Sequence, residues 1–418
     1  MTGTTGSGAS SIAGAAWLVD PVLQTVLGVL NAGGVARVVG GAVRNTLMGA
    51  DTSAIDTDIA TTHRPEQVTA LVEAAGFKAV PTGIDHGTVT VVGDSGRRHF
   101  EVTTLRRDVE THGRRATVAF TDDWAADAAR RDFTINAIYC DADGTLHDPV
   151  GGIADIAAGL VRFVGDPVAR IREDYLRILR FFRFSAHYAA GPLDAAGLAA
   201  CVAEQAGLAR LSAERIRAEL VKLLAAPGTP GVIAAMGESG IVERLFGARA
   251  DVRAALRLMA TEQACGLAGD AIRRLGALAS AGGIDADDLK ARLRLSRADG
   301  ERIAAMETAA AGMGPALADL DRKAALYRRG PQAYRDGVLL AWARSPAAAD
   351  DGGWRDLAGL PDRWTAPKLP VAGRDLVRRG VAPGPEVGRR LAEIEARWIA
   401  SDFTAGRKEL LATAAGPR

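Results

Sequence analysis

The chain has 418 residues, about two to three times a common domain length, and predicts roughly two to four domains, each long enough to bury a core. Hydrophobic residues make up 48% and charged residues 24%, which excludes a fibrous or wholly disordered chain. The net charge is only +1, so any basic surface for an acidic partner has to be local. The opening "MTGTTGSGASS" has no basic residue and no apolar core; it reads as a disordered lead-in over 1–18 and not as a signal peptide. Apolar runs are broken by Arg or Asp well short of the roughly 18 residues a membrane span needs, so no membrane partner is expected. Cys140, Cys201 and Cys265 lie far apart, without metal-ligand or disulfide spacing, which fits a reducing compartment and hence the cytoplasm.

The first helix is signalled by Asp20 as cap, Pro21 in its first turn and glycines after "PVLQTVLGVLNAGG". "VARVVGGAV" predicts a strand over Val35–Val39, a turn at Gly40 and Gly41, and a helix through "AVRNTLMG". "AIDTDIATT" reads as a strand, "RPEQVTALVEAAGF" as a helix, and "GTVTVVG" and "RHFEVTTLR" as strands joined by a turn. From Asp166 onward helical periodicity dominates: "DPVARIREDYLRILRFFRFSA" predicts one long helix, and "SAERIRAELVKLLAA" another. The latter starts like a capping box, but Arg215 stands where the box has Glu. The expected fold class is α+β, with a mixed-sheet head over 19–165, a helical neck over 166–248 and a helical body and tail over 249–418.

Asp56 and Asp58 carry the first chemical signal. On a strand, residues two apart point to one face, and paired carboxylates repel unless a cation intervenes. Mg²⁺ prefers carboxylate oxygens together with substrate phosphates. The plain alternative is a solvated strand edge. The preceding "VVGGAVRN" favours the metal reading, because Gly40 and Gly41 leave backbone N–H groups open to a phosphate, with Arg44 one turn on. It is neither a dinucleotide fingerprint nor a P-loop. Glu101 is a third candidate carboxylate, or a solvent-facing strand residue. In "ARRDFTINAIYC", Arg131 suits triphosphate oxygens, while Asp132 and Asn136 suit ribose hydroxyls or the local backbone; a surface salt bridge would not explain why Asn136 interrupts the apolar run. Asp174, Arg177, Arg180 and Arg183 recur every third residue. In a regular helix Arg183 would lie nearly opposite Asp174.

"GGAVR", "DTD", "RRDFTINA", "DPVGG", "EDYLRILRFFRF" and "SAERIRAEL" occur in the order found in class II CCA-adding enzymes and bacterial poly(A) polymerases, and the chain resembles that family over about residues 35–240. These enzymes are DNA-polymerase-beta-like nucleotidyltransferases. The resemblance implies that Asp56 and Asp58 hold catalytic Mg²⁺, and that Gly41, Arg44, Arg131 and Asp132 contact the incoming nucleotide. It makes Asp174 and Arg177 an amino-acid template for the base, with Arg180 and Arg183 as further nucleotide contacts, and "DPVGG" a flexible element between head and neck. Asn45 departs from the Asp common in the family, which removes any salt bridge at that position.

The implied activity is template-independent addition of C, C and A to tRNA 3′ ends from CTP and ATP, by a monomer or homodimer. A poly(A) polymerase, a CC-adding or A-adding enzyme, and an inactive RNA-binding or nucleotide-binding protein are the alternatives. Cytosine and adenine both offer an exocyclic amine and a ring-nitrogen acceptor, which a carboxylate and a guanidinium satisfy together. Uracil and guanine invert that pattern and would leave buried groups mispaired, at about 1–3 kcal/mol each. Some relatives append a phosphohydrolase with clustered His ligands, but the six histidines here end at His187. The pairs beginning at Arg273, Arg378 and Arg389, with Lys368, are candidate RNA contacts or solvated helix faces.

Overall fold

A computed structural model of the chain describes residues 11–52, 56–83, 87–112, 115–247, 250–280 and 284–413. The chain divides into two compact units, residues 1–245 and 246–418, so the expected head and neck fall together in the first.

Helix α1 (Pro21–Asn31) starts as its sequence predicts: the Asp20 carboxylate accepts from the N–H groups of Val22 and Leu23, and Pro21 takes the first position. Strand β1 (Ala36–Val39) runs into Gly40 and helix α2 (Gly41–Leu47). Then follow β2 (Thr57–Thr61), α3 (Pro65–Ala74), β3 (Lys78–Gly83), β4 (Thr88–Gly93) and β5 (Arg98–Thr104). The hairpin β6 (Arg106–His112) and β7 (Arg115–Phe120) forms a sheet of its own. After α4 (Trp124–Ala129), the short strands β8 (Tyr139–Cys140) and β9 (Leu146–His147) complete a seven-stranded sheet of order β3-β4-β5-β2-β1-β8-β9. Its β2–β5 pair is parallel and the rest are antiparallel. Alternation does the sorting. Val38, Ile59, Val89, Val91 and Val102 turn to one face and pack on Leu23, Val26, Leu27 and Leu30 of α1 and Val68 and Val72 of α3. Val39, Ala60 and Tyr139 lie in a smaller cluster with Leu105, Ala128 and Val164.

The lead-in differs from expectation after residue 10. Ser11 bridges Thr145, the Ile12 N–H donates to the Gly144 carbonyl (2.9 Å), and Trp17 donates to the Thr46 hydroxyl (2.7 Å). Ile12, Trp17 and the fully buried Leu18 supply enough apolar surface to hold the segment on the head; a buried Leu alone is worth about 2 kcal/mol. Residues 1–10 lie outside the described residues, as do Ala54 and Ile55 of the strand expected at "AIDTDIATT". The "DPVGG" segment is tied down: Asp148 accepts from the N–H groups of Gly152 and Ile153 at the start of α5 (Gly152–Ala157). A Cβ at Gly152 would meet the Thr134 carbonyl oxygen at 2.2 Å.

The helix expected over 166–186 is two. Helix α6 (Pro167–Glu173) stops, Asp174 is extended (φ −154°, ψ 108°), and α7 (Leu176–Tyr188) begins. Asp174 offers the new helix a side-chain cap, accepting the Leu176 N–H at 3.1 Å. Helices α8 (Ala195–Glu204), α9 (Ala213–Ala225), α10 (Thr229–Glu238) and α11 (Ile241–Phe246) follow.

Among the described residues the regular elements of the second unit are all helices: α12 (Val252–Ala264), α13 (Ala271–Ser280), α14 (Ala286–Leu293), α15 (Arg297–Ala310), α16 (Asp319–Arg344), α17 (Gly352–Ala358), α18 (Leu360–Arg363), α19 (Gly373–Val377), α20 (Pro385–Ala400) and α21 (Arg407–Thr413). Helix α16 is interrupted at Gly330 (φ 76°), where the next residue, Pro331, cannot donate to the preceding turn. One core gathers Leu258, Met306, Val338 and the stacked Trp342 and Trp354; a second gathers Leu376, Ile394, Trp398 and Leu410. Arg273 and Arg274 are neither a solvated face nor an RNA contact. Both are buried on Glu262, and Arg273 also bonds Asp336.

Candidate active site

The strand register draws the candidate carboxylates into one row. Asp58 pairs with Val39 on one side and Glu101 on the other, and Val39 pairs with Tyr139. Residues opposite each other in a sheet share a face, so Asp58, Glu101 and Tyr139 project away from α1 and α3. Asp56 stands one residue before β2, outside the ladder that fixes the direction of Asp58. It is exposed, yet its charge acts on Asp58. Gly40 sits in the left-handed region (φ 82°), and a Cβ added there would lie 3.6 Å from Asp58 Oδ2. Space alone would admit a side chain beside the carboxylate; the left-handed backbone is what calls for glycine here.

Burial, then the neighbouring Glu101 charge, pushes the Asp58 carboxyl up to about 6, with Asp56 adding to the rise and Arg131 opposing it. This carboxylate row is short of positive charge. Its oxygen donors suit a hard divalent cation, which commonly takes one or two carboxylates and completes its shell with water and substrate phosphates. Among the described residues no three His, Cys, Asp or Glu side chains are grouped as a complete metal cage.

Arg131 faces this row from the segment after α4. Its guanidinium lies 5.3 Å from the Tyr139 ring centre and donates to Asp127 (3.1 Å), which also accepts from Tyr139 (2.8 Å) and Arg130 (2.8 Å). Burial would raise the Asp127 carboxyl, but the Arg131 and Arg130 charges hold it below its ordinary value. Asp127 went unread in the sequence, although its spacing of three and four residues from the two arginines was the available signal.

Asp132, Asn136 and Arg44 form one network. Asp132 Oδ1 accepts from the Phe133 N–H and from Asn136 Nδ2 (3.0 Å), and its Oδ2 accepts from Arg180 (Nε, 2.9 Å). Asn136 Oδ1 accepts from Arg44 Nη1, which explains the amide inside an apolar run. The rest of the Arg44 guanidinium donates to Asn45 Oδ1 (3.0 and 2.8 Å) and to the Tyr188 hydroxyl (2.7 Å), stacked 4.0 Å from that ring. Asn45 therefore does with a neutral amide what an Asp would do with charge. Burial would raise the Asp132 carboxyl, but Arg180, Asn136 and the Phe133 N–H hold it at about 2.

The break at Asp174 changes the geometry of the neck. Arg183 does not point away from the other arginines. Its guanidinium lies 4.3 Å from the Phe184 ring, with Arg180 at 5.2 Å and Arg44 at 5.5 Å from the same ring. Arg183 is fixed by Glu219 (2.6 Å). Arg177 donates back to the Arg170 carbonyl (2.7 Å) and to Glu173, while Asp174 Oδ2 accepts from Arg215 (2.6 Å). Tyr188, Glu173, Arg215 and Glu219 are supporting residues that only the folded chain reveals.

A carboxylate row beside a glycine turn, with the Arg131 charge acting on it and further arginines gathered around Phe184, suits a nucleotidyltransferase. Residues 36–162 match the family model described as "Poly A polymerase head domain", and residues 193–250 match "Probable RNA and SrmB- binding site of polymerase A". The chain is 34% identical to "CCA tRNA nucleotidyltransferase 1, mitochondrial" of Danio rerio, over 90% of this chain and 86% of that protein. It is 30% identical to the "CCA-adding enzyme" of Limosilactobacillus fermentum, over 94% of this chain and 96% of the relative. Among solved structures it is similar to the Bacillus stearothermophilus CCA-adding enzyme in complex with CTP, with a TM-score of 0.74, 29% identity, and 95% and 97% of the two chains covered. The chain belongs to the CCA tRNA nucleotidyltransferase family. Among the described residues no helix is long and apolar enough to cross a membrane.

Proposed function

We propose that this protein adds C, C and A to the 3′ end of tRNA from CTP and ATP, releasing pyrophosphate. The observation that carries the proposal is the Asp58–Glu101 row, short of positive charge, with the Gly40 turn next to Asp58 and the Arg131 charge acting on it. The tRNA 3′ hydroxyl gives its proton to solvent water and its oxygen bonds to the α-phosphorus, while the bond from that phosphorus to the bridging oxygen breaks and pyrophosphate leaves. Asp58 and Asp56, with Glu101 beside them, are the residues to hold Mg²⁺. Bound there, the ion supplies activation of the hydroxyl and charge neutralisation at the leaving group.

The chain's own residues orient the substrate. Arg131 answers phosphate charge next to the row, and Arg180 and Arg183 add positive charge around Phe184. Gly40 and Gly41 allow the nucleotide to approach the backbone. Arg44 has all but one of its N–H donors engaged, so it acts chiefly by locking Asn136 and Asp132, the ribose-facing segment, onto Tyr188. Asp174 and Arg177 read the base. In this reading residues 19–165 are the catalytic head, 166–248 the base-selecting neck and 249–418 the RNA-holding body and tail. A cleft of about 300 Å³ lined by Arg378, Arg379, Arg407 and Lys408 supports RNA backbone contact in the tail. The three cysteines are free thiols, two of them buried, which supports a reducing compartment such as the cytoplasm.

The test is incubation with tRNA lacking its 3′ CCA, with each NTP alone and in pairs, followed by product sequencing. CTP alone should yield CC, and CTP with ATP should stop at CCA. A long A tract would assign a poly(A) polymerase; a product ending at CC with both nucleotides would assign a CC-adding enzyme. No extension would sink the activity.

A further inference from the structure

The residue at the third position of α9 is unusual for a helix that opens with Ser212. A capping box would place Glu or Gln there, and the Ser212 side chain makes no capping bond. Arg215 occupies the position and reaches across to Asp174, Nη2 to Oδ2, at 2.6 Å. One turn further on, Glu219 grips Arg183 in the same manner (2.6 Å). Positions four apart share a helix face. One face of α9 thus holds two neck side chains, Asp174 and Arg183.

We propose that Arg215 is a specificity-determining positioning residue, which sets the direction of the Asp174 carboxylate and so the choice of base. The proposal rests on the reading of Asp174 and Arg177 as the base-selecting pair. Asp174 lies in the break between α6 and α7, extended at φ −154° and ψ 108°, with its carbonyl accepting the Arg177 N–H (3.0 Å). Its carboxylate is held at two points: Oδ1 by the Leu176 N–H (3.1 Å) and Oδ2 by Arg215. Each carboxylate oxygen has a second lone pair, so the base amine can still be accepted once the plane of the carboxylate is fixed. Arg177 is braced separately, by Glu173 and the Arg170 carbonyl. Without Arg215 the carboxylate keeps only the Leu176 N–H on Oδ1 and can rotate about that single anchor. Acceptance of a cytosine or adenine amine then loses its geometry, and the penalty against a uracil carbonyl shrinks, because the carboxylate can swing away from it.

The experiment compares kcat/KM for single additions of CTP and UTP to tRNA lacking CCA, in wild type, Arg215→Met, Arg215→Lys and Asp174→Ala. Arg215→Met should raise the UTP-to-CTP ratio by about tenfold, mainly through KM for CTP, and Arg215→Lys should recover most of the discrimination. In the Asp174→Ala background, Arg215→Met should change the ratio no further. If Arg215→Met lowers both substrates equally, with a parallel fall in melting temperature, Arg215 is a structural ion pair and the inference is overturned. Should Arg215→Met not fold, Arg215→Gln decides between the same outcomes. If Asp174→Ala itself leaves UTP excluded, the base-selecting reading fails, and the proposal with it. If Asp174→Ala relaxes selection and Arg215→Met does not, only the role of Arg215 is lost.

Discussion

Two charge clusters of this protein use the same residue types to opposite ends. In the second unit, Glu262 and Asp336 are each 1% exposed and each bonded by two arginines: Arg273 and Arg274 on the first, Arg273 and Arg302 on the second. Arg302 also reaches Asp270 (2.8 Å), closing the lattice. In the first unit, Asp58 has Glu101 and Asp56 as like-charged neighbours, and its carboxyl rises to about 6. A buried network with its charges matched holds helices in register. A carboxylate row left short of cations is held in place by the rest of the fold and is available to a metal and a triphosphate. Sequence composition alone does not separate the two; the partner count does.

That contrast can be broken at several points. Asp336→Ala removes a partner from both Arg273 and Arg302 and should cost on the order of 3 kcal/mol in urea denaturation, with CTP incorporation per folded molecule unchanged. A loss below 1 kcal/mol would mean the lattice is not closed.

Asp132 stands between the two kinds, matched by Arg180 yet part of the site. Its carboxyl is held near 2, below the ordinary 3.8, so its stabilisation is complete above pH 4 and is lost as pH falls toward 2. Asp132→Asn should cost about 2 kcal/mol at pH 7 and flatten the acid limb of the stability curve. An unchanged acid limb would remove Asp132 from the network.

Glu101→Gln takes one negative charge from the row and should raise the Mg²⁺ concentration for half-maximal activity by about tenfold, with melting unaffected. If the Mg²⁺ requirement stays put, Glu101 is only a solvent-facing strand residue. The smallest effect is expected in the tail. Arg378→Ala should weaken tRNA binding by less than about 1 kcal/mol and reduce the salt-dependence slope by about one contact. A slope that does not move places the RNA elsewhere.

Much of the head is legible locally. The Asp20–Pro21 start, the glycine turn after β1, and the alternation in β4 and β5 are written within a few residues of each element. The short strand β8 is not, because its pairing with the distant β1 defines it; the hairpin β6–β7 pairs locally, but its run of charged residues hides the strand pattern. The break at Asp174 has no Pro or Gly to announce it; an Asp side chain capping the next helix does the work. For the same reason the wheel that set Arg183 opposite Asp174 misled. Asn136 was visibly anomalous in sequence, but its partners, Asp132 four residues away and Arg44 on another helix, appear only in the fold.

The most direct test of the account is Asp58→Asn, with CTP incorporation into tRNA lacking CCA and thermal melting measured on the same preparation. The account predicts a loss of activity of about a thousandfold or more, with melting no lower than wild type, because an amide relieves a repelled, half-buried carboxylate. Activity within tenfold of wild type, or a collapse of stability in step with activity, would contradict it.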